Sequence, residues 1–299
     1  MSEFSGVDLV VPASPLRFMR AKSRRRRGKD RLWPPLIPIG LFVFLALFGP
    51  YLVPFNPVST NITSRLLPPG SMVNGSIAWL GTDQVGRDML GEVIAGARLT
   101  LIMAVATIIV AGVLGIALGL IAGYFGRWVD NVIMRLADLQ LAFPGLLLAI
   151  LIAGVLGPSV RNIVISLAIT RWVTFARLAR SSAISVRKRD YVSAAQLLGA
   201  SHIRILGRYL LPASVPSLLV LVTVEVGSVI LAAASLSYLG LGVPPSQVDW
   251  GSTIANGSDY LLSAWWIATM PGIALAGLVL SVSVLGDKLQ ARFAAATGR

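Results

Sequence analysis

Long apolar runs alternate with short polar segments along most of the chain, and a spanning helix needs about 20 mostly apolar residues. Stretches at 36–55, 99–124, 136–155, 213–238 and 264–285 meet that requirement. A weaker stretch at 162–179 is interrupted by Arg171 and Arg177. Counted as the fourth span, it brings the expected number to six. The chain then divides into an N-terminal arm (1–35), a membrane domain (36–290) and a short tail (291–299).

Between the fourth and fifth apolar runs lies "DYVSAAQLLGASHIRILGRYLLP", residues 190–212. Its period is helical: Tyr191, Ala194, Ala195 and Leu198 fall at i, i+3, i+4, i+7, the spacing of one apolar face. Gly199 breaks that pattern as glycine does at a helix end. Ser201 can cap a second helix, with Ile203, Leu206 and Leu210 as its apolar stripe and Pro212 expected to stop it before the fifth span. Two short amphipathic helices outside the bilayer follow. They rest on lipid headgroups or dock a partner, and the small pair Ala194-Ala195 favours docking because it permits close backbone approach.

Two other segments lie outside the apolar runs. In 79–101, Gly81-Thr82-Asp83 reads as a turn and Asp88 as the cap of a helix running on into the second span. This is either a surface loop with an interfacial helix or a lid at a channel mouth. In 236–266, Gly240, Gly242, Pro244 and Pro245 end the fifth span, and an interfacial aromatic belt is the expected role of Trp265 and Trp266.

Composition agrees with the pattern. Hydrophobic residues make up 55% of the 299, charged residues only 13%, and mean hydropathy is +0.77, whereas soluble domains carry about 25% charged residues. The fold class is therefore an all-α integral membrane protein. With no cysteine, neither a disulfide nor a thiolate metal site exists, and the single histidine, His202, rules out a histidine cluster. The net charge of +13 is mainly a topology signal. Of the 26 Lys and Arg, 21 fall in the arm, the 125–135 loop, segment 177–208 and the tail. The positive-inside rule places these, and both termini, in the cytoplasm. The arginine-rich arm suits anionic headgroups better than nucleic acid, and an uncleaved first span fits better than a signal peptide.

Soluble-enzyme chemistry is missing. The one Gly-Lys pair, Gly28-Lys29, is followed by Asp30 and preceded at position 23 by Ser, so no GxxxxGK[ST] phosphate loop exists. Neither GxSxG nor HExxH occurs. Three charges sit inside apolar runs: Asp138, Arg171 and Glu225. Intramembrane charges are functional candidates. Asp138 is three residues past Arg135, so an i, i+3 ion pair is its expected structural role. Arg171 and Glu225 could pair across helices, and Glu225 is the best single candidate for a polar spot in a pathway. A proton relay would need a chain of such groups.

Residues 190–212 resemble the cytoplasmic EAA loop of bacterial ABC-type importer permeases. That pattern is Glu-Ala-Ala, three residues, Gly, nine residues, Ile, one residue, Leu-Pro. Here it reads Ser193-Ala194-Ala195, Gly199 and Leu211-Pro212, with Ser193 in place of Glu and Tyr209 in place of Ile. "LGTDQVGRDML", "MRLADLQLAFPGLLLAI", "LGAS", "LSYLGLGVPP" and the later "WW", "PG" and "LGD" extend the likeness over residues 35–290. They resemble the second permease subunit of dipeptide/oligopeptide importers. Trp79, Ala213 and Ala264 depart from the usual Pro, Asn and family residue, and the Asp-Pro-Arg ending is absent.

The resemblance implies a type I ABC importer permease of six spans in the bacterial plasma membrane. It implies a sister permease, two cytoplasmic ATPase subunits that bind the ATP and Mg, an external binding protein and a peptide substrate. No cofactor would belong to this chain. Ala194, Ala195 and Gly199 would pack in an ATPase groove, and Leu211-Pro212 would fix the turn into the fifth span. Nickel, glutathione or another small solute is the alternative cargo, and a stand-alone proton-coupled carrier the alternative class.

Overall fold

The computed structural model describes residues 33–53, 56, 59–73 and 75–297. The basic arm up to residue 32, the end of the first expected span at Pro54-Phe55, and Arg299 lie outside the described residues. Ten α-helices follow in order: α1 (Trp33–Leu52), α2 (Met89–Phe125), α3 (Arg127–Leu141), α4 (Gly145–Leu156), α5 (Val160–Arg187), α6 (Asp190–Leu197), α7 (His202–Ile205), α8 (Leu211–Leu236), α9 (Trp250–Ser258) and α10 (Trp266–Thr297). Among the described residues the extended structure is a hairpin, β1 (Ser71–Val73) against antiparallel β2 (Ser76–Ala78), and an isolated bridge between Thr82 and Asp88.

Among the described residues four helical stretches are long and apolar enough to cross a membrane: α2, α5, His202–Leu241 and Trp266–Phe293. The pair α3 and α4 makes a fifth if counted as one broken span, while α1 contributes a shorter apolar helix, Trp33–Gly49. The expected straight span at 136–155 is not what forms. α3 and α4 meet at 87°, with Pro144 at the start of α4. A proline disfavours helical backbone at the residue before it and removes an N–H from the ladder, so the chain turns there. α3 is amphipathic. Ala137 packs against Trp172, Val173 and Ala176 of α5, while Trp128, Leu136 and Leu139 stay exposed.

That packing overturns the expected Arg135–Asp138 pair. Asp138 bonds instead to Arg177 Nη2 on α5 at 2.7 Å, and Asp130 Oδ2 accepts from Arg180 Nη2 at 2.6 Å. Arg135 lies on the exposed side of α3. Laying α3 along α5 brings guanidinium groups to both aspartates from the neighbouring helix.

The centre of the bundle is the α2–α5 contact, and glycine makes it possible. Gly115, Gly119 and Gly123 recur every fourth residue of α2 and face α5. A Cβ on Gly115 would lie 2.7 Å from Phe175 Cβ, and one on Gly123 2.7 Å from Arg180 O. This is small-xxx-small packing, in which two helix backbones meet without intervening side chains. Around it, Met103, Ile163, Leu167, Phe175, Ile230 and Leu278 are fully buried.

Candidate functional site

Segment 190–212 sits at the end of the bundle where α2 finishes. Asp190 occupies the first turn of α6, where a negative charge complements the helix dipole. The helix ends in a Schellman motif: Ala200 N–H reaches Ala195 O at 3.0 Å and Gly199 N–H reaches Gln196 O at 3.0 Å. Gly199 has φ +78 with nothing within 4 Å of where a Cβ would be, so it is required for its backbone and not for space. Ser201 Oγ accepts from Arg204 N–H at 3.4 Å and caps α7.

On α6, Val192 and Ala195 are buried, whereas Tyr191, Ala194 and Leu198 are exposed. On the second stretch, Ile205 and Leu210 are buried and Leu206 partly so, while Ile203 points away. Val192, Ile205 and Leu210 join Leu120, Tyr124, Ala179, Ala183 and Val186 in one apolar cluster. Polar anchors hold the same contact. Tyr124 Oη shares a hydrogen bond with His202 Nδ1 at 2.7 Å and accepts one from Gln196 Nε2 at 3.4 Å. The Arg187 guanidinium lies 5.8 Å from the centre of the Tyr124 ring. On the outer side Leu197, Leu198 and Ile203 are 89%, 88% and 83% exposed.

Pro212 does not stop the second helix. α7 passes through a π turn at Leu206–Leu210 into α8, and His202–Leu241 runs as one stretch of 40 residues. Leu211 N–H bonds to Leu206 O, an i→i−5 step. A proline has no N–H and its ring clashes with the carbonyl four residues back; the extra residue in the π turn shifts the ladder just ahead of Pro212. Leu211 and Pro212 are therefore helical residues at the start of α8, not a turn.

Inside the bundle Arg171 Nη1 lies 3.4 Å from Glu225 Oε2, joining α5 to α8. Their side chains are 29% and 10% exposed, and Ser228 Oγ donates to the same carboxylate oxygen at 3.2 Å.

At the opposite end, residues 59–73 and 75–92, α9 and the start of α10 form a cap. Asp83 accepts from Val85 N–H, Arg87 N–H and Arg87 Nε at 2.9, 2.7 and 2.7 Å. Glu92 Oε1 accepts from Thr253 Oγ1 at 3.1 Å and Arg87 Nη2 at 3.4 Å. Trp250 Nε1 donates to Val93 O at 2.8 Å and Trp266 Nε1 to Thr82 O at 3.0 Å. Trp266 is thus a buried tie between cap and bundle and not an aromatic-belt residue; Trp265 is half exposed. Asp249 caps α9 through Gly251 N–H at 3.0 Å, and burial holds its carboxyl above the usual carboxylate range. A cavity of about 870 Å³ opens beside these residues, lined by Gln84, Arg87, Glu92, Ser252, Asn256 and Tyr260 among others. Among the described residues no group of three or more His, Asp or Glu is placed to hold a metal ion.

Sequence reasoning missed the Gly115-Gly119-Gly123 seam and the Tyr124–His202 anchor. A search for glycine every fourth residue would have found the first; the second joins positions 78 apart and has no local signal.

The chain is a multi-pass helical membrane protein with a two-helix elbow at one end and a folded cap at the other. Residues 115–295 match the family described as the binding-protein-dependent transport system inner membrane component. The chain is 40% identical over 252 residues to a di/tripeptide transport system permease protein, DppC, of Pseudomonas aeruginosa, covering 84% of this chain and 83% of that one. It is 36% identical over 282 residues to a probable D,D-dipeptide transport system permease protein, DdpC, of Escherichia coli, covering 94% and 93%. It is also 37% identical over 259 residues to the nickel transport system permease protein NikC of Escherichia coli, covering 85% and 90%. The chain belongs to the binding-protein-dependent transport system inner membrane component family. It is a multi-pass permease component of an ABC transporter and not an enzyme, with no cofactor of its own, and it works with separate ATPase and binding-protein partners.

Proposed function

We propose that this chain is one of two permeases that together form an import pathway for di- or oligopeptides. In this reading it has six spans, α1 and the bent α3–α4 pair included, and both termini are cytoplasmic. Two ATPase subunits dock on residues 190–212, one on each permease, and the binding protein delivers peptide to the cap. The observation that carries the coupling role is the outer face of the elbow. Leu197, Leu198 and Ile203 stand more than four-fifths exposed on helices whose other face is bonded into the bundle. Burying a leucine side chain stabilises by about 1.5–3 kcal/mol, so a docked partner gains several kcal/mol from these residues. Ala194 is exposed beside them and allows close approach. Gly199 shapes the elbow, and Leu211-Pro212 join it to α8.

Peptide as cargo is supported by relatives described as dipeptide permeases. The relative described as a nickel permease supports a second reading with the same architecture. The test is the double substitution Leu197→Ser and Leu198→Ser in the complete transporter. ATPase co-purification and uptake of labelled dipeptide should both fall, while yield and thermal stability of the permease pair stay unchanged. Normal ATPase recovery would sink the docking role. Uptake of ⁶³Ni without dipeptide uptake would decide for the second reading.

A further inference from the structure

Arg171 and Glu225 lie at matching depth. Arg171 is eleven residues from Val160, the first of α5, and Glu225 eleven from Leu236, the last of α8. At 1.5 Å per residue each is about 16 Å in from the capped end. A guanidinium has five N–H donors in a fork that fits a carboxylate with two parallel bonds. Among the described residues Arg171 uses one of them, in the single 3.4 Å contact to Glu225. Nearly a third of its side chain remains open. Thr174 follows it on the same face of α5 and is exposed. A spanning helix cannot turn an open guanidinium to hydrocarbon without a cost of several kcal/mol. This face therefore looks onto water or onto protein.

We propose that Arg171 binds the carboxylate of the transported solute within the pathway, with Glu225 as the resident anion that it releases in part. The inference rests on the peptide-import reading and adds to it a recognised group: a free C-terminal carboxylate. Ser228 Oγ donates to the same Glu225 oxygen that Arg171 meets, so Glu225 keeps a partner when Arg171 turns to the solute. Competition between the two carboxylates keeps binding weak. A transport site needs that property, because the solute must leave again.

The test uses the assembled transporter in nanodiscs without its binding protein, in the nucleotide-free and the ATP-plus-vanadate-trapped states. Binding of alanyl-alanine and of alanyl-alaninamide is read by saturation-transfer NMR. The dipeptide should bind in at least one state, and the amide at least tenfold more weakly. Arg171→Gln should weaken dipeptide binding at least tenfold and Arg171→Lys less. Glu225→Gln should strengthen it severalfold, because the competing anion is gone. A purely structural ion pair predicts instead that both single variants lower binding and assembly together. Equal binding of dipeptide and amide overturns the assignment, as does undiminished binding by Arg171→Gln. So does loss of the sister permease from both Arg171 variants, which would make this face a packing interface. Dipeptide uptake by the complete system in any of these cases leaves the peptide reading standing. Its absence there overturns both.

Discussion

Replacing Gly119 by alanine adds one methyl group where α2 and α5 have the least room. The new Cβ would lie 2.9 Å from both Ala176 C and Ala176 Cα and closer still to Ala176 O, whereas real Cβ atoms essentially never approach within 3.0 Å. All three obstacles are backbone, so no rotamer change relieves them. The helices must part by several tenths of an ångström, and the neighbouring contacts at Gly115 and Gly123 loosen with them. Overpacking of this kind costs about 1–3 kcal/mol. The same substitution gains about 0.5–1 kcal/mol of helix propensity, and a control removes that contribution. Gly154 lies within α4 and has nothing within 4 Å of its would-be Cβ, so Gly154→Ala gains the propensity and meets no obstacle. The difference between the two variants isolates the overpacking cost. Equilibrium unfolding of the purified permease pair in mixed micelles should place Gly119→Ala about 1–3 kcal/mol below Gly154→Ala. Equal stabilities would refute the claim that the α2–α5 seam is set by backbone contact.

The cap yields two further predictions. Burial raises the Asp249 carboxyl above its ordinary value, so its contribution to stability is complete below the unfolded-state value of about 3.9 and lost as pH rises through the raised one. The melting temperature should therefore fall as pH rises above about 3.9, and Asp249→Asn, which keeps a capping oxygen, should flatten that slope; an unchanged slope would show that other groups carry it. Trp250 is fully buried, bonds to Val93 O and meets Phe42 of α1 edge to face at 5.7 Å. Trp250→Ala should cost about 3–5 kcal/mol in the same unfolding experiment and speed proteolysis of α1; a loss under 1 kcal/mol would mean that the cap does not hold α1.

Local signals were legible in the chain and tertiary ones were not. Asp88, Ser201 and Gly199 were readable because caps act within four residues: Asp88 accepts from Gly91 N–H at 2.9 Å at the start of α2. Long apolar runs located the main helices, but α2 begins at Met89 and α5 runs on to Arg187, well outside the expected 99–124 and 162–179. Hydropathy records where lipid begins, not where a helix does. The bend at Pro144 carried a signal in the proline itself, which apolarity on both sides obscured. Periodicity picked out one apolar face of α6, most of it left open, and missed Val192, which packs near Tyr124, because both faces carry apolar residues. The proposed coupling role of Ala194, Ala195 and Gly199 was reached through a resemblance, and periodicity alone would have left the elbow between lipid and partner.

The π turn ahead of Pro212 changes what the elbow can transmit. A helix ended at Pro212 would leave α7 joined to α8 by a flexible corner, and a push on Ile203 would be absorbed there. With the helix continuous, Ile203 and Glu225 stand on one helical stretch, 22 residues and about 33 Å apart at 1.5 Å per residue. Its ladder is interrupted twice in that interval, at the π turn and at Pro216 inside α8, which has no N–H to give; Gly199 and Gly240, with φ +78 and +79, lie beyond its two ends. If an ATPase docks on the elbow as proposed, its push travels along this stretch and meets Pro216 before it reaches Glu225. Glu225 faces Arg171 on α5, which packs on α2 through the glycine seam. The 3.4 Å contact between Arg171 and Glu225 is therefore where a shift of α8 relative to α5 would change how much of the guanidinium is open in the proposed site.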